Sequence, residues 1–171
     1  MKPRNLTFTG FMGAGKSEVA ECVAAALGLS LAEMDARIEK EQGCSIADII
    51  KWYGEGHFRK LESELLRKLL DLQGVAISAG GGALVDGRNR EMAREKSTVI
   101  WLKVDFDVAK YRVKNDKKPR KRPLFNDDAR RRFEFRQSLY EEAAHIIVDA
   151  NCPLDEVVKA VIHELSLFVA T

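Results

Sequence analysis

A glycine-rich segment near the start of the chain, GFMGAGKSEVAECV at residues 10–23, constrains the fold more than any other part of the sequence. It matches the pattern G-x-x-x-x-G-K-[ST] through Gly10, Gly15, Lys16 and Ser17. Residues 5–9 before it are β-prone, and apolar residues recur at helical spacing after Lys16. A strand that leads into a helix through such a loop predicts a phosphate-binding loop at residues 10–17.

The residue types in this loop suit the phosphate groups of a nucleotide. Glycines let successive backbone N–H groups turn toward an anion, and the helix that follows adds its partly positive N-terminus. Lys16 supplies a mobile positive charge for the β and γ phosphates, and the Ser17 hydroxyl is a ligand for Mg²⁺. A turn with an incidental lysine is the alternative, and the flanking strand and helix argue against it. We therefore predict nucleotide contacts at Gly13, Ala14, Gly15, Lys16, Ser17 and Glu18.

β-prone and helical segments alternate along the whole chain. The β-prone segments are residues 5–9, 29–34, 74–78, 97–104 and 145–150. Between them lie amphipathic segments that predict helices, including two short ones interrupted at Gly43 and a long one that ends near Gly74. Such alternation predicts an α/β fold whose parallel sheet of five strands is covered by helices on both faces. Because the chain has 171 residues and no visible linker, we expect a single domain over residues 1–171.

Composition and cysteine content favour a cytoplasmic protein. No apolar run approaches the roughly 20 residues that a membrane span needs, and residues 1–10 lack the apolar stretch of a secretion signal. The three cysteines are an odd number without metal-like spacing, which is typical of free thiols in a reducing compartment. We expect no membrane partner, and the few apolar positions that look exposed favour a monomer.

Basic residues are concentrated between Lys110 and Arg136, although the formal net charge of the chain is only +2. A solvated helix face is the ordinary interpretation of such a run, and nucleic-acid binding is a second. A third is a segment that closes over a polyanion. The run contains few aromatic residues that could stack on bases, so we do not expect a nucleic-acid partner.

Four further segments supply candidates for the site that receives a phosphate. Glu33 and Asp35 follow the second β-prone segment, and ligands bind at the carboxyl ends of parallel strands. The sequence GEGHFRKLE places Arg59 near the start of a helix, and RQSLYEEA places Arg136 late in another. AGGG at residues 79–82 is a second place where the backbone can approach a ligand closely.

Together with RPLF at residues 122–125, these segments resemble the shikimate kinases over essentially the whole chain. The family motifs resembled are G-F-M-G-[SA]-G-K-S, D-x-D-x-x-I-E, G-E-x-x-F-R-x-x-E, G-G-G, R-P-L and R-x-x-L-Y-x-E-x-A. The resemblance implies a three-layer αβα P-loop kinase fold, with a substrate-binding helical segment at about 36–62 and a mobile lid at about 113–127. It also implies ATP-dependent phosphorylation of the 3-hydroxyl of shikimate, with Mg²⁺ as cofactor, on the route to chorismate and the aromatic amino acids.

The resemblance also implies roles for individual residues. Asp35 would bind the acceptor hydroxyls and orient or deprotonate the attacking one, while Lys16 and the lid residue Arg122 would act on the transferred phosphate. Arg59 and Arg136 would bind the carboxylate, because a guanidinium matches a planar carboxylate. The remaining implied contacts are Gly80, Gly81 and Gly82 with the substrate, Arg112, Arg122 and Pro153 with the nucleotide, and Ser17 and Glu33 with the metal.

Each of these assignments has a local alternative. Asp35 could be a helix N-cap, and Arg136 could be one more solvated arginine in a basic helix. Arg59 could pair with Glu55 or Glu62 on the helix surface. The turn formed by residues 80–82 (the glycine turn) could be purely structural. The lid residue Arg122 lies beside two other basic residues, Arg120 and Lys121.

Two other functions fit part of the pattern. A P-loop kinase for another small acid, such as gluconate, would also use two arginines to bind a carboxylate. A non-catalytic module that binds a nucleotide and regulates a partner would need the phosphate loop, but it would not need Asp35, Arg59, Arg122 and Arg136 as well. The complete set therefore favours a shikimate kinase.

The chain departs from the family pattern at four positions. Glu33 stands where an aspartate is usual, and Glu18 stands where a threonine usually follows the Lys-Ser pair. Because a carboxylate beside phosphates would repel them, we expect Glu18 to point outward. Ser138 replaces a proline, and Ile50 replaces a pocket phenylalanine. These differences bear on Mg²⁺ affinity and turnover more than on the type of reaction.

Overall fold

Five parallel strands form one sheet in the computed structural model, which describes residues 4–116 and 127–169. The strands are β1 (Asn5–Thr9), β2 (Ser30–Glu33), β3 (Val75–Ser78), β4 (Ser97–Lys103) and β5 (Ile146–Asp149). They lie side by side in the order β2-β3-β1-β4-β5, and every neighbouring pair is parallel. The predicted sheet of five parallel strands is confirmed.

Eight helices within these residues connect and cover the strands. They are α1 (Lys16–Leu27), α2 (Met34–Gln42), α3 (Ile46–Tyr53), α4 (Glu55–Leu70), α5 (Gly87–Lys96), α6 (Phe106–Lys114), α7 (Ala129–Ala143) and α8 (Leu154–Val169). Gly43 ends α2 with a φ of 68°, which glycine adopts without strain, so the predicted interruption there is confirmed. Within the described ranges, none of these helices is both long and apolar enough to cross a membrane.

Each face of the sheet is covered by its own apolar cluster. One cluster joins strand residues such as Phe8 and Ile100 to α1 and α8. The cluster on the other face joins Ile77 and Val99 to α4 and α5. Because both faces are buried, the strands have the nearly continuous apolar sequences of a parallel sheet, and the three-layer αβα prediction is confirmed.

The strand order brings three loops to one edge of the sheet. β1 is the central strand and pairs with β3, with Phe8 opposite Ser78. β2 lies beyond β3, with Glu33 opposite the same serine. The phosphate loop after β1, the start of α2 and the glycine turn after β3 therefore leave the sheet side by side. This is the carboxyl end of the strands, where open α/β sheets bind ligands.

Candidate active site

A cavity of about 960 Å³ opens at this edge of the sheet. Every predicted site residue that the structure describes lines it: Gly13, Ala14, Gly15, Lys16, Ser17, Glu18, Glu33, Asp35, Arg59, Gly80, Gly81, Gly82, Arg112, Arg136 and Pro153. Folding thus joins the residues predicted at the nucleotide and those predicted at the acceptor into one continuous space.

The backbone of the phosphate loop has a conformation that suits the binding of an anion. Gly13 and Gly15 both have a φ of 86°, in the left-handed region that other residues avoid. A side chain at Gly13 would also meet α6, because its Cβ would lie 2.6 Å from the carbonyl oxygen of Ala109. Lys16, the first residue of α1, donates from Nζ to two carbonyl oxygens of the same loop at 3.0 and 3.1 Å. Its positive charge is therefore held at the loop.

Ser17 and Glu33, the residues predicted at the metal, contact each other. The Ser17 hydroxyl donates to Glu33 Oε2 at 2.9 Å, which joins the first turn of α1 to the end of β2. Across the residues described, no group of three or more His, Cys, Asp or Glu side chains could hold a metal ion by itself. Mg²⁺ does not need one in a kinase, because it binds through one or two protein oxygens, phosphate oxygens and water. The hydroxyl and carboxylate therefore fit a magnesium ion that is shared with a nucleotide.

Glu18 lies on the first turn of α1, where it is exposed and also lines the cavity. Its exposure keeps the carboxylate in contact with water, where the high dielectric constant weakens repulsion of a nearby phosphate. That it turns outward from a bound nucleotide stays a prediction.

Arg112 on α6 contacts the turn between β5 and α8. Its guanidinium donates to Ala150 O at 2.8 Å and to Cys152 O at 3.1 Å. Pro153, the next residue of the turn, is exposed and lines the cavity. Arg112 and the turn that contains Pro153, both predicted at the nucleotide, therefore lie next to each other, and these hydrogen bonds orient the guanidinium plane.

Asp35 lies in the first turn of α2. Glu33 occupies the N-cap position, without a capping hydrogen bond from its side chain, so the alternative that Asp35 is the N-cap is wrong. The Asp35 carboxylate lies against the glycine turn, since a Cβ on Gly80 would lie 3.1 Å from Asp35 Oδ1. Its negative charge also acts on the Glu62 carboxyl. Asp35 therefore borders both the cavity and the glycine turn.

Arg59 is held by two glutamates of its own helix. Its Nη2 lies 2.9 Å from Glu55 Oε1, and its Nη1 lies 2.6 Å from Glu62 Oε2. The local ion pairs that the sequence offered as an alternative are therefore present. They do not exclude substrate binding, because a guanidinium has five N–H donors and Arg59 also lines the cavity.

The pKa values of these two glutamates shift in opposite directions. Burial raises the pKa of the Glu62 carboxyl, although the charge of Arg59 opposes the shift. Burial acts in the same sense on Glu55, but the hydrogen bond and charge of Arg59 prevail and hold the pKa of Glu55 below its ordinary value. The side chain of Glu55 is 42% exposed and that of Glu62 only 2% exposed, so the two pairs with Arg59 lie in very different environments.

Arg136 is buried in α7, with 6% of its surface exposed. It shares the buried face of that helix with Ala129, Tyr140 and Ala143. The alternative that Arg136 is a solvated arginine is therefore wrong. Tyr140, one turn further along, donates from its hydroxyl to Gly81 O at 2.5 Å, so α7 contacts the glycine turn directly.

The outer glycines of the glycine turn make room for two charged side chains that line the cavity. A Cβ on Gly80 would overlap the carboxylate of Glu62. A Cβ on Gly82 would overlap the guanidinium of Arg59. The absence of side chains is therefore what allows these charged groups to lie against the turn. That the turn also contacts a substrate stays a prediction.

Glu62 lines the cavity and Tyr140 contacts the glycine turn behind it, although the sequence pattern alone assigned neither of them a role in binding. Glu62 lies one turn after Phe58 and one turn before Leu66, both buried residues of α4, so a charged residue on an apolar helix face was the available signal. Tyr140 follows Arg136 by four positions, which places both on one face of α7. Besides Glu62 and the predicted site residues, the polar residues that line the cavity are Glu39, Ser45, Asp48, Ser78 and Asp116.

Arg122 lies outside the described residues, as does most of the predicted lid. α6 ends at Lys114 and α7 begins at Ala129, so these helices flank the segment in sequence. The catalytic role of Arg122 stays a prediction.

The chain is similar to known proteins over nearly its full length. A family model described as shikimate kinase matches residues 12–166. A shikimate kinase of Geobacter sulfurreducens is 36% identical over 169 residues, which cover 97% of this chain and 91% of that protein. One of Persephonella marina is 36% identical over 143 residues, which cover 82% of this chain and 85% of that protein. The solved structure of a shikimate kinase from Acinetobacter baumannii in complex with shikimate matches with a TM-score of 0.87 at 27% identity, covering 98% of this chain and 93% of that one.

Proposed function

The chain belongs to the shikimate kinase family, and on that premise we propose how its own residues phosphorylate shikimate. The reaction moves the γ-phosphate of ATP to the 3-hydroxyl of shikimate and yields shikimate 3-phosphate and ADP. The observation that carries the proposal is the single cavity lined by the phosphate loop together with Asp35, Arg59 and Arg136. Donor and acceptor would share one space, which a direct transfer requires.

The phosphate loop would bind the donor. Its backbone N–H groups and the N-terminus of α1 favour a bound anion. Lys16, which rests on two carbonyl oxygens of the loop, would move its hydrogen bonds to the β and γ phosphates. Arg112 and Pro153 would border the adenine, because a guanidinium stacks well on an aromatic ring.

Ser17 and Glu33 would hold Mg²⁺ beside the phosphates. Their hydrogen bond of 2.9 Å keeps both oxygen ligands at one place before a nucleotide arrives. When bound, Mg²⁺ would neutralise part of the phosphate charge. Glutamate has a longer reach than the aspartate usual in the family, so Glu33 would bind the ion directly or through one water.

Asp35 would accept the proton of the attacking hydroxyl. As the hydroxyl oxygen bonds to the γ-phosphorus, the bond from that phosphorus to the bridging oxygen of ADP breaks. The hydroxyl proton passes to the Asp35 carboxylate, which acts as the general base. Asp35 is suited to this role because it borders the cavity at the start of α2, near the glycine turn.

Arg59 and Arg136 would bind the carboxylate of shikimate. Arg59 is held by two glutamates and Arg136 is buried in α7, so both guanidinium groups are oriented before substrate arrives. Such orientation reduces the entropy that binding must remove. Two guanidinium groups would form charge-assisted hydrogen bonds with one planar carboxylate. The ring of shikimate would then lie over the backbone of Gly80, Gly81 and Gly82.

The chain would act as a monomer in the cytoplasm. The predicted residues of both the nucleotide side and the acceptor side that the structure describes line one cavity of one chain, which supports a monomer. Light scattering coupled to size-exclusion chromatography measures the mass in solution, and a stable dimer would contradict the monomer.

ADP release measured with Mg·ATP against shikimate, quinate and gluconate tests the proposed function. We expect release that depends on shikimate, with shikimate 3-phosphate identified by mass spectrometry. Release with gluconate but not with shikimate would support a kinase for another small acid. ATP binding without release on any of the three acids would support a non-catalytic module.

A further inference from the structure

The three carbonyl groups of the glycine turn, residues 80–82, are all held by hydrogen bonds. Gly80 O accepts from the backbone N–H of Ala83 at 3.0 Å, and Gly82 O accepts from that of Val85 at 3.1 Å. The middle one, Gly81 O, accepts from the Tyr140 hydroxyl at 2.5 Å. The orientation of the middle peptide is therefore set by a side chain of α7.

The position of the Tyr140 side chain is fixed by its burial and by the packing of its ring. Its side chain is fully buried, and its ring packs against Trp101 of β4 with the ring centroids 5.9 Å apart. Burial raises the pKa of the Tyr140 hydroxyl to about 12, so the hydroxyl stays protonated at neutral pH. A protonated hydroxyl can donate to Gly81 O throughout the catalytic cycle.

The same hydroxyl lies next to Arg136. A Cβ on Gly81 would lie 3.6 Å from Arg136 Nη1 and 3.7 Å from Tyr140 Oη, so the two side chains meet at this glycine. The positive charge of Arg136 acts on the Tyr140 hydroxyl. Loss of the hydroxyl would therefore remove a neighbour of the guanidinium as well as the donor to the turn.

The planarity of the peptide unit carries the effect of Tyr140 to the cavity. The N–H of Gly82 belongs to the same peptide unit as the carbonyl of Gly81, and in a trans peptide the two point in opposite directions. Because Tyr140 holds the carbonyl toward α7, the N–H of Gly82 points away from that helix. Rotation of this peptide would change the backbone donors offered to a substrate.

We propose that Tyr140 is a positioning residue for the acceptor half of the site. Its hydroxyl holds the Gly81–Gly82 peptide and the Arg136 guanidinium in the arrangement that binds shikimate. This inference rests on the proposed function, because it concerns the same site. Tyr140 does not line the cavity, so its effect falls on shikimate affinity rather than on phosphate transfer.

Tyr140→Phe tests the proposal, because it keeps the ring against Trp101 and removes only the hydroxyl. We expect the KM for shikimate, and the shikimate Kd measured by titration calorimetry, to rise about tenfold, as for loss of one buried hydrogen bond. We expect kcat and the KM for ATP to change by less than about twofold, because the variant leaves the donor site and Asp35 in place.

Thr7→Val is the matched control. Thr7 and Ser97 share a buried hydroxyl–hydroxyl hydrogen bond of 2.7 Å, and Thr7 does not line the cavity. This variant should lower the Tm without changing shikimate binding. A Tyr140→Phe variant with a lower Tm and unchanged shikimate constants would overturn the positioning role. If the unmodified chain bound no shikimate by calorimetry, the proposed function would fail, and the inference with it.

Discussion

The carboxylate of Glu62, only 2% exposed, lies 2.6 Å from the guanidinium of Arg59. The same carboxylate occupies the space that a side chain on Gly80 would fill. A buried negative charge therefore connects the arginine proposed to bind the substrate carboxylate with the backbone of the glycine turn. The proposed acceptor site would therefore depend on Glu62, a group that the proposed reaction does not use directly.

Glu62→Gln should weaken shikimate binding more than Glu55→Gln does, although both glutamates contact the same guanidinium. Breaking a buried ion pair typically lowers the free energy of unfolding by about 3–5 kcal/mol, whereas an exposed pair contributes about 0–1 kcal/mol to it. We expect the KM for shikimate to rise at least about tenfold in the first variant and less than about threefold in the second. Steady-state kinetics and thermal melts of both variants measure this, and equal effects would contradict the different roles of the two pairs.

Gly82→Ala should impair substrate binding and also lower the Tm, because it displaces Arg59 from the buried carboxylate of Glu62. The three atoms nearest to the added Cβ all belong to the guanidinium at the flexible end of the Arg59 side chain, which can move away. Displaced from its glutamates, Arg59 would bind the substrate carboxylate poorly, and we expect the KM for shikimate to rise about tenfold or more.

Gly56→Ala is the control for that substitution. Gly56 lies within α4, and nothing lies within 4 Å of a Cβ built on it. Alanine is favoured over glycine in a helix, so this variant should be about 0.5–1 kcal/mol more stable with unchanged kinetics. An unaltered KM for shikimate in Gly82→Ala would show that shikimate binding does not depend on the position of the Arg59 guanidinium beside Gly82.

Asp35→Asn should abolish turnover and leave ATP binding nearly unchanged. The amide keeps the size of the side chain but cannot accept the hydroxyl proton, and general bases contribute about 10²–10⁴-fold to rates. ADP release at saturating shikimate measures the loss, and calorimetry with ATP measures nucleotide affinity. A large loss of ATP affinity would contradict the assignment of Asp35 to the acceptor.

Glu33→Gln should raise the Mg²⁺ concentration that gives half-maximal activity by about three- to tenfold. The amide oxygen can still accept the hydrogen bond from Ser17, so the change removes charge with little change of shape. Glu33→Asp, which keeps the charge, should recover much of the Mg²⁺ affinity. The Mg²⁺ dependence of ATP binding, followed by calorimetry, gives a readout that does not depend on turnover. If it is the same in the glutamine variant, Glu33 does not serve the metal.

Lowering the pH should destabilise the fold through His145. Its Nδ1 accepts from Val99 N at 3.0 Å, and burial, with the charges of Arg94 and Arg4, lowers its pKa from 6.5. Between the two pKa values the unfolded chain binds more protons than the folded chain. The contribution of His145 to the free energy of unfolding is therefore complete above pH 6.5 and is lost as the pH falls through the folded pKa.

Urea unfolding from about pH 8 to pH 5 measures this contribution. His145→Asn removes the titrating group and keeps a side-chain acceptor for Val99 N. Its stability should therefore depend less on pH over that range than the stability of the unmodified chain. Identical pH profiles of the two proteins would exclude His145 as the source.

The fold was largely predictable because its signals are local. Alternation of β-prone and helical segments identified five strands, and glycine marked the interruption at Gly43. Short sequence patterns do not encode burial, however. Arg136 has the same sequence surroundings as a solvated arginine, and only the packing of α7 shows that it is buried.

The phosphate loop could be identified from the sequence alone, because the required turn and helix start are formed within eight consecutive residues, 10–17. The support of the proposed acceptor site became visible only in the packing of the folded chain. Tyr140 and Gly81 are 59 residues apart in sequence, yet their oxygen atoms lie 2.5 Å apart. Contacts of this kind depend on how α4, α7 and the sheet pack together, and residue spacing along one segment carries no information about the distance between two elements.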